Sequence, residues 1–316
     1  MKHLIGVDLG GTRLRAVRMD TTGHIFQHRS VATAATAGPE EVISQVVSLV
    51  EQVIGDVSHA DILGIGVGSP GPTDPFAGIV LHALTLQGWV NVPLRALLED
   101  QTGLPVILHN DAHAAALGEW YFGSGQGCQD FVYVTVSTGI GGGIIANGQL
   151  LLGRKGLAGE IGHMQIQSDG PVCSCGQTGC WESLASGTAL ARFAVQALQR
   201  KSPSLLHDSA TKGPLTAAQV VAAATQGDEM AQDLLRREGE FLGMGLVNLL
   251  HLFSPERITL GGGVAQAMAW LEPHIHRIIA ARALPSYRDV PIHYAHLGDQ
   301  AGVIGAATLL LASVTS

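Results

Sequence analysis

At 316 residues, with 46% apolar and only 14% charged side chains, the chain has room for two domains and a large core, which excludes a disordered chain. A net charge of −8 and a sequence pI of about 5.9 leave no basic stripe for nucleic acid, and four cysteines argue against a disulfide framework. The N-terminus lacks the apolar core of a signal peptide and the apolar run 301–314 is too short to cross a bilayer, so the expectation is a cytoplasmic protein without a membrane partner.

In chain order, HLIGVDLG (3–10) reads as a buried strand running into a glycine turn. RLRAVRMD (13–20) and HIFQHRS (24–30) continue it as a β-meander. Residues 38–55 read as a helix: Pro39 and two glutamates open it, apolar residues recur three and four apart, and Gly55 closes it. ILGIGVGSPG (62–71) is a strand ending in a Pro-Gly loop, and LPVILHND (104–111) a strand whose end carries Asn110 and Asp111 before a helix over 112–123. Residues 130–153 then repeat the opening order of apolar strand, glycine turn, strand, tight turn and strand, a weak internal repeat that suggests two related halves. Beyond a cysteine loop the chain is mainly helical, with a capping box at Thr216 and Gln219. PERITLGGG (255–263) is a strand into a third glycine turn, 264–284 a helix interrupted near Pro273, and a strand at 290–298 precedes a last helix from about Ala301. The stretch 201–214 reads as an exposed loop. The mixture of meanders and crossovers indicates an α/β protein with a cleft between two lobes.

Three glycine turns follow strands: DLGGT (8–12), STGIGGG (137–143) and GGGVA (261–265). Such turns expose successive backbone N–H groups to phosphate oxygens, and Asp8 at the first strand's end could hold a magnesium ion. Each alone is equally a tight hairpin turn. None is a Walker A loop or a dinucleotide fingerprint, because no Lys-Ser or Lys-Thr follows and the first turn leads into a strand.

The segment GEIGHMQIQSDGPVCSCGQTGCWE (159–182) concentrates three of the four cysteines. His163 followed by Cys173, Cys175 and Cys180 supplies four ligands, enough for a closed tetrahedral zinc site. A reduced thiol cluster or a stray disulfide is the alternative. A closed site leaves no position for an activating water, so the zinc is read as structural and a zinc hydrolase is disfavoured. Glu160 and Glu182 stand at the two ends of this loop, where their carboxylates suit a polyhydroxylated ligand. Cys128, the pair His109 and His113, and the pair His293 and His296 take ordinary structural readings.

With DLGGT, TGIGGG, GGG and the strand end HND, the chain resembles the actin-like ATPase superfamily of sugar kinases. GLAGEIGHM and CSCGQTGCWE make it resemble the ROK family (repressors, open reading frames and kinases), most nearly its bacterial glucokinase members, over nearly its whole length. The resemblance implies an actin-like (ribonuclease H-like) α/β fold of two lobes. Residues 1–115 form the first lobe, completed by a C-terminal helix at about 300–316, and 116–299 the larger second lobe with the zinc loop. It implies phosphorylation of a hexose by Mg-ATP at its primary hydroxyl, with glucose the first choice and N-acetylmannosamine, N-acetylglucosamine, fructose or mannose as alternatives. Asp111 is then the catalytic base. Ser69, Gly71, Asn110, Glu160, His163 and Glu182 join it at the sugar, His163 through the ring nitrogen not on zinc. Asp8, Gly10, Gly11, Thr12, Arg13, Thr138, Gly139 and Gly141 meet the phosphates or their metal, and Gly262 and Gly263 lie against the adenosine. The capping reading of Asp111, as the N-cap of the following helix, is the alternative to the catalytic one. Two positions depart from the family pattern: Arg13 stands where Lys is common, and HALTLQ (82–87) lacks an Asn before the Gly-Trp pair. The family also includes sugar-responsive repressors with an N-terminal helix-turn-helix. The first strand here begins at His3 and the charge balance is acidic, so a kinase without that DNA-binding part is expected. A homodimer is implied by the resemblance.

Overall fold

A computed structural model describes residues 1–199 and 203–312. The chain opens with strands β1 (His3–Leu9), β2 (Arg13–Asp20) and β3 (Ile25–Ala32), helix α1 (Pro39–Ile54), strand β4 (Ile62–Ser69) and three short strands, β5 (Thr73–Asp74), β6 (Ile79–His82) and β7 (Val90–Val92). Helix α2 (Leu94–Thr102), strand β8 (Val106–Asn110) and helix α3 (Asp111–Phe122) follow. Next come β9 (Phe131–Val136), β10 (Ile140–Ala146), β11 (Gln149–Leu150), then α4 (Trp181–Ala185), α5 (Gly187–Leu198), α6 (Leu206–Ala210), α7 (Ala217–Thr225) and α8 (Glu229–Phe253). Strand β12 (Arg257–Gly261), α9 (Met268–Arg282), β13 (Ile292–Tyr294) and α10 (Ala301–Ala312) complete the described chain.

Two compact units result. The first takes Met1–Cys128, Gly143–Gly159 and the segment from Ala295 on; the second takes Gln129–Gly142 and Glu160–Tyr294. The first unit thus runs past residue 115, the expected boundary, to Cys128, keeps α3 whole, and also takes Gly143–Gly159, which the expectation placed in the second lobe. Helix α3 is held there by its packing on α10. A Cβ at Gly118 would lie 2.8 Å from the Ala301 carbonyl oxygen, and one at Gly305 would run into Ala114. This close approach packs α3 and α10 together in one unit. Residues 313–316 of the expected terminal helix lie outside the described residues.

The first unit's main sheet has the order β3-β2-β1-β4-β8, with β1–β2 and β2–β3 antiparallel and β1–β4 and β4–β8 parallel. Strand β1 is buried along both faces, as a central strand covered by helices must be. Period-two alternation sends Ile5, Val7 and Leu9 into a core shared with Val46, Val50 and Val53 of α1, and Leu4 into a second core with Val303, Ile304 and Ala307 of α10. Gly6 and Asp8 share Leu4's face, and a side chain at Gly6 would collide with Val303. The glycines of ILGIGVGS serve the same purpose on β4, where Gly66 sits against Ala306 and Gly68 against Ala114 and Asp111. The minor sheet β5-β6-β7 is antiparallel and was not legible as strands in the sequence.

The sheet β11-β10-β9-β12-β13 repeats the first sheet's order, with β10–β11 antiparallel and β9–β12 and β12–β13 parallel. The internal repeat seen in the sequence is thus a repeat of topology. In the second unit, Thr216 and Gln219 form the expected capping box on α7. Gly227 (φ 90°) then breaks the helix and Asp228 caps α8 by accepting from the Ala231 N–H at 2.8 Å. The interruption expected at Pro273 is not observed: α9 runs through it from Met268 to Arg282. The irregularity lies upstream at Ala267 (φ −84°, ψ 20°), so the proline falls in the second turn of a new helix, where it forfeits a single donor. Within 201–214, the part from Pro203 onwards is not simply a loop, because α6 buries Leu206; Lys201 and Ser202 lie outside the described residues.

Mid-way along α8, Glu238 is 2% exposed and its Oε1 has no hydrogen-bond partner. Burial pushes its pKa well above the ordinary carboxylate value, against the opposing pull of Arg237. The folded state therefore keeps a proton that the unfolded chain releases, and stability falls as pH rises above the unfolded pKa. Glu238→Gln should raise the unfolding free energy measured by urea titration, by on the order of 1–3 kcal/mol at pH 8 and by much less at pH 5. A gain of equal size at both pH values would show that the carboxyl is not held neutral.

Candidate active site

In the first unit the hairpin between β1 and β2 closes with the Gly10 N–H donating to the Arg13 carbonyl at 2.9 Å, and Thr33 Oγ donates to the Gly10 carbonyl at 2.7 Å. Gly11 lies against Thr85, while Thr12 and Arg13 are exposed. Cross-strand register sets Arg15 opposite Asp8, and its Nη1 donates to Asp8 Oδ2 and to the Asp299 carbonyl, both at 3.2 Å. On the other side, a Cβ at Gly302 would stand 3.1 Å from the Asp8 carboxyl, so the acid sits at the N-terminal turn of α10, whose dipole favours its charge. Burial raises the Asp8 pKa and the Arg15 guanidinium opposes that rise. Sequence reasoning missed Arg15. Counting pairs back from the DLGGT turn, Leu9 to Leu14 and then Asp8 to Arg15, would have found it.

The ends of β4 and β8 are stitched together nearby. Asn110 Nδ2 donates to the Gly71 carbonyl at 3.0 Å, and Gly71 (φ 78°) leaves no room for a side chain beside the His82 carbonyl. Ser69 is fully buried, its hydroxyl 3.4 Å from the Pro70 carbonyl, so it shapes this loop from beneath. The N-cap of α3 is Asn110, whose Oδ1 accepts from the Ala112 N–H at 2.9 Å. Asp111 is therefore the first helical residue and is not the cap, which corrects the capping alternative. Its Oδ1 accepts from the Ala112 N–H at 2.8 Å, and the residue is half-buried. His109, two residues before it, is held neutral by burial, its pKa lowered to about 4.

The second unit gathers the remaining candidates. The turn after β9 is fixed by the Ser137 N–H donating to Gly139 and the Gly187 N–H donating to Ser137 (2.9 and 2.7 Å). Gly262 (φ 86°) packs on the carbonyl of Val136, which brings the third glycine turn beside the second, and Gly263 faces open space. The GEIGH stretch lies on β10, with Ile161 against Gly142 and Gly162 against Ile140. Glu160 is exposed and follows Gly159 (φ 95°). Glu182, in the first turn of α4, does more than the sequence suggested. Its Oε2 accepts from the Ile140 N–H at 3.0 Å, and its Oε1 accepts from Ser174 Oγ at 3.2 Å. One carboxylate thus joins the 138–142 turn to the cysteine loop. The aromatic neighbour Trp181 anchors α4 on α8, its ring N–H donating to the Phe241 carbonyl at 2.9 Å and its face resting on Gly245.

The ligand atoms of His163, Cys173, Cys175 and Cys180 all lie within 4.8 Å of one another. Cys175 and Cys180 sulfurs are 3.7 Å apart, as are Cys173 Sγ and His163 Nδ1. A disulfide needs about 2.05 Å, whereas a tetrahedron with metal–sulfur bonds of about 2.3 Å has edges of about 3.8 Å. The donor set and its spacing therefore fit a tetrahedral metal site. Backbone donors hold the loop in this shape: the Cys173 N–H bonds the Gln177 carbonyl at 2.7 Å and the Gly176 N–H bonds Cys173 at 2.9 Å. With Nδ1 on the metal side, the Nε2 of His163 is left for another partner.

Among the described residues no helix is long and apolar enough to cross a membrane. The model of the ROK family matches residues 4–313. A glucokinase of Halalkalibacterium halodurans is 38% identical over 311 residues, 97% of this chain and 94% of that one. An N-acetylmannosamine kinase of Citrobacter koseri is 32% identical over 308 residues, 96% of this chain and 97% of that one. Among solved structures, a ROK family glucokinase of Streptomyces griseus in complex with glucose and AMPPNP aligns with a TM-score of 0.82 at 36% identity, covering 97% of this chain and 98% of that one.

Proposed function

Because the chain belongs to the ROK family and has its α/β fold, we propose that it is an ATP-dependent sugar kinase that phosphorylates a hexose at its primary hydroxyl, glucose first. The observation that carries the reading is the placement of Asp111. A neighbouring residue takes over the cap, and the carboxylate stands at the head of α3 where it can accept a proton. In this reading Asp111 draws the proton from the hydroxyl as its oxygen attacks the γ-phosphoryl in line. The second hydrogen of the Asn110 amide, Glu160, the Nε2 of His163 and Glu182 hold the other hydroxyls. Backbone N–H groups of Gly11 and Thr12 in the first turn and of Thr138, Gly139 and Gly141 in the second stabilise charge on the phosphates, with Gly10 shaping the first turn and Arg13 beside it, and Gly262 and Gly263 adjoin the adenosine. A magnesium ion bound with ATP would be held through Asp8 and would neutralise phosphate charge. The cysteine–histidine cluster holds a structural zinc. We also infer a cytoplasmic homodimer.

An ADP-release assay over a panel of sugars tests this. Glucose is expected to give the highest kcat/KM, and the similarity to an N-acetylmannosamine kinase makes that sugar the chief competitor. Turnover with no sugar in the panel, together with sugar-dependent retention of duplex DNA in a gel, would replace the kinase reading by a regulator.

A further inference from the structure

We infer that His113 is a positioning residue: its ring N–H clamps the segment that delivers Glu160 to the helix that opens with Asp111. The inference rests on the sugar-binding reading of Glu160 above. His113 lies in the first turn of α3 and is 3% exposed. Its Nε2 is 2.7 Å from the Ala158 carbonyl oxygen. A carbonyl can only accept, so Nε2 carries the hydrogen. Burial lowers the pKa of the ring and keeps it neutral, so Nδ1 is a bare lone pair, and that atom is buried without a partner. An unpaired buried acceptor is costly, and an aliphatic side chain would fill the same space without that cost. What a histidine supplies here is the one donor to Ala158.

That donor acts at a particular point of the chain. The Ala158 N–H is itself bonded to the Leu152 carbonyl at 3.1 Å, so both polar groups of this peptide segment are tied down. Gly159 follows with φ 95°, and Glu160 is the next residue and the first of the second unit's longer segment. The same turn of α3 backs the other nearby crossing. A Cβ at Gly143, where the chain returns from the second unit, would lie 3.2 Å from the Ala112 carbonyl oxygen and 3.4 Å from His113 Cα. One helical turn therefore carries the proposed base and backs both crossings, the one from the 137–142 turn at Gly143 and the one into the GEIGH stretch at Gly159. With the donor removed, the Gly159 backbone gains freedom, and the position of Glu160 is the first thing to suffer.

The test compares His113→Leu, His113→Gln and Glu160→Gln in the full chain. His113→Leu should raise the sugar KM about tenfold while kcat and the ATP KM stay within about threefold. His113→Gln restores an N–H at similar reach and should bring the sugar KM back to within about threefold of the parent. A purely structural role would instead reduce active enzyme, lowering kcat with both KM values unchanged, and that result overturns the inference if Glu160→Gln still raises the sugar KM. If Glu160→Gln leaves the sugar KM unchanged, the sugar-binding reading of Glu160 falls, and this inference with it. Should His113→Leu fail to fold, long-range proton–nitrogen spectra of histidine-labelled parent protein decide: a neutral Nε2–H ring supports the clamp, and an Nδ1–H ring or an imidazolium refutes it.

Discussion

Asp111→Asn is expected to lower kcat by roughly 10²- to 10⁴-fold while leaving the thermal midpoint and metal content unchanged. The substitution keeps the shape of the side chain and removes its negative charge, and with it the proton affinity. Its amide oxygen can still accept from the Ala112 N–H, as Oδ1 does at 2.8 Å in the parent, and the cap on α3 belongs to Asn110 and is untouched. Stability should therefore change by no more than a surface substitution usually costs. Sugar affinity should change little, because an amide oxygen also accepts from a hydroxyl. The deficit then appears in kcat and in kcat/KM alike, the signature of an interaction made in the transition state. Turnover within threefold of the parent would end the assignment of Asp111 as base. A large loss of stability would show instead that its role is in the helix terminus.

Much of this architecture is written plainly in the sequence, and the exceptions have physical causes. Buried central strands announce themselves as apolar runs, so β1, β4, β8, β9 and β12 fall where the pattern puts them. Glycine punctuates the hairpins at 10–12 and 147–148, and the repeat of strand, glycine turn and strand becomes two sheets of the same order. The cysteine–histidine cluster is legible because these residues at short spacing have few other uses. The small β5-β6-β7 sheet was missed because its strands have two to four residues and its surroundings expose Phe76, Leu84 and Val90, which leaves no alternation to read. Pro273 was misjudged because a proline's effect depends on which turn it occupies, and the sequence does not show where α9 starts. In α3 the small residues Ala114 and Gly118 let its backbone lie against α10, a contact that the sequence pattern does not show. Within the candidate site, residue types pointed to Glu182 as a ligand-binding group, but a one-dimensional reading could not reveal that its two oxygens span from Ile140 to Ser174.

That span makes metal removal the second large effect. Cys175→Ser, or chelation of the parent, should lower the thermal midpoint by roughly 5–8 °C, which corresponds to a loss of about 3–5 kcal/mol in a chain of this size. The loss should be smaller than the ~10 kcal/mol of an isolated zinc peptide, because Trp181 and α8 still hold the loop's far end. Cys175 is the ligand to change: it is exposed, whereas Cys173 and Cys180 are buried and their replacement would disturb packing as well. Kinetic effects should reach both substrates. With the loop slack, Ser174 no longer steadies Glu182 Oε1, so the sugar KM should rise. The same carboxylate holds the Ile140 N–H through Oε2, so the 138–142 turn loosens and the ATP KM should rise too, by a smaller factor. A metal that merely stapled a remote loop would change the midpoint and neither KM. Metal analysis, calorimetry and both KM values on one preparation separate the two cases, and a metal-free variant with parental affinity for both substrates would refute the link from the cysteine loop through Glu182 to the glycine turn.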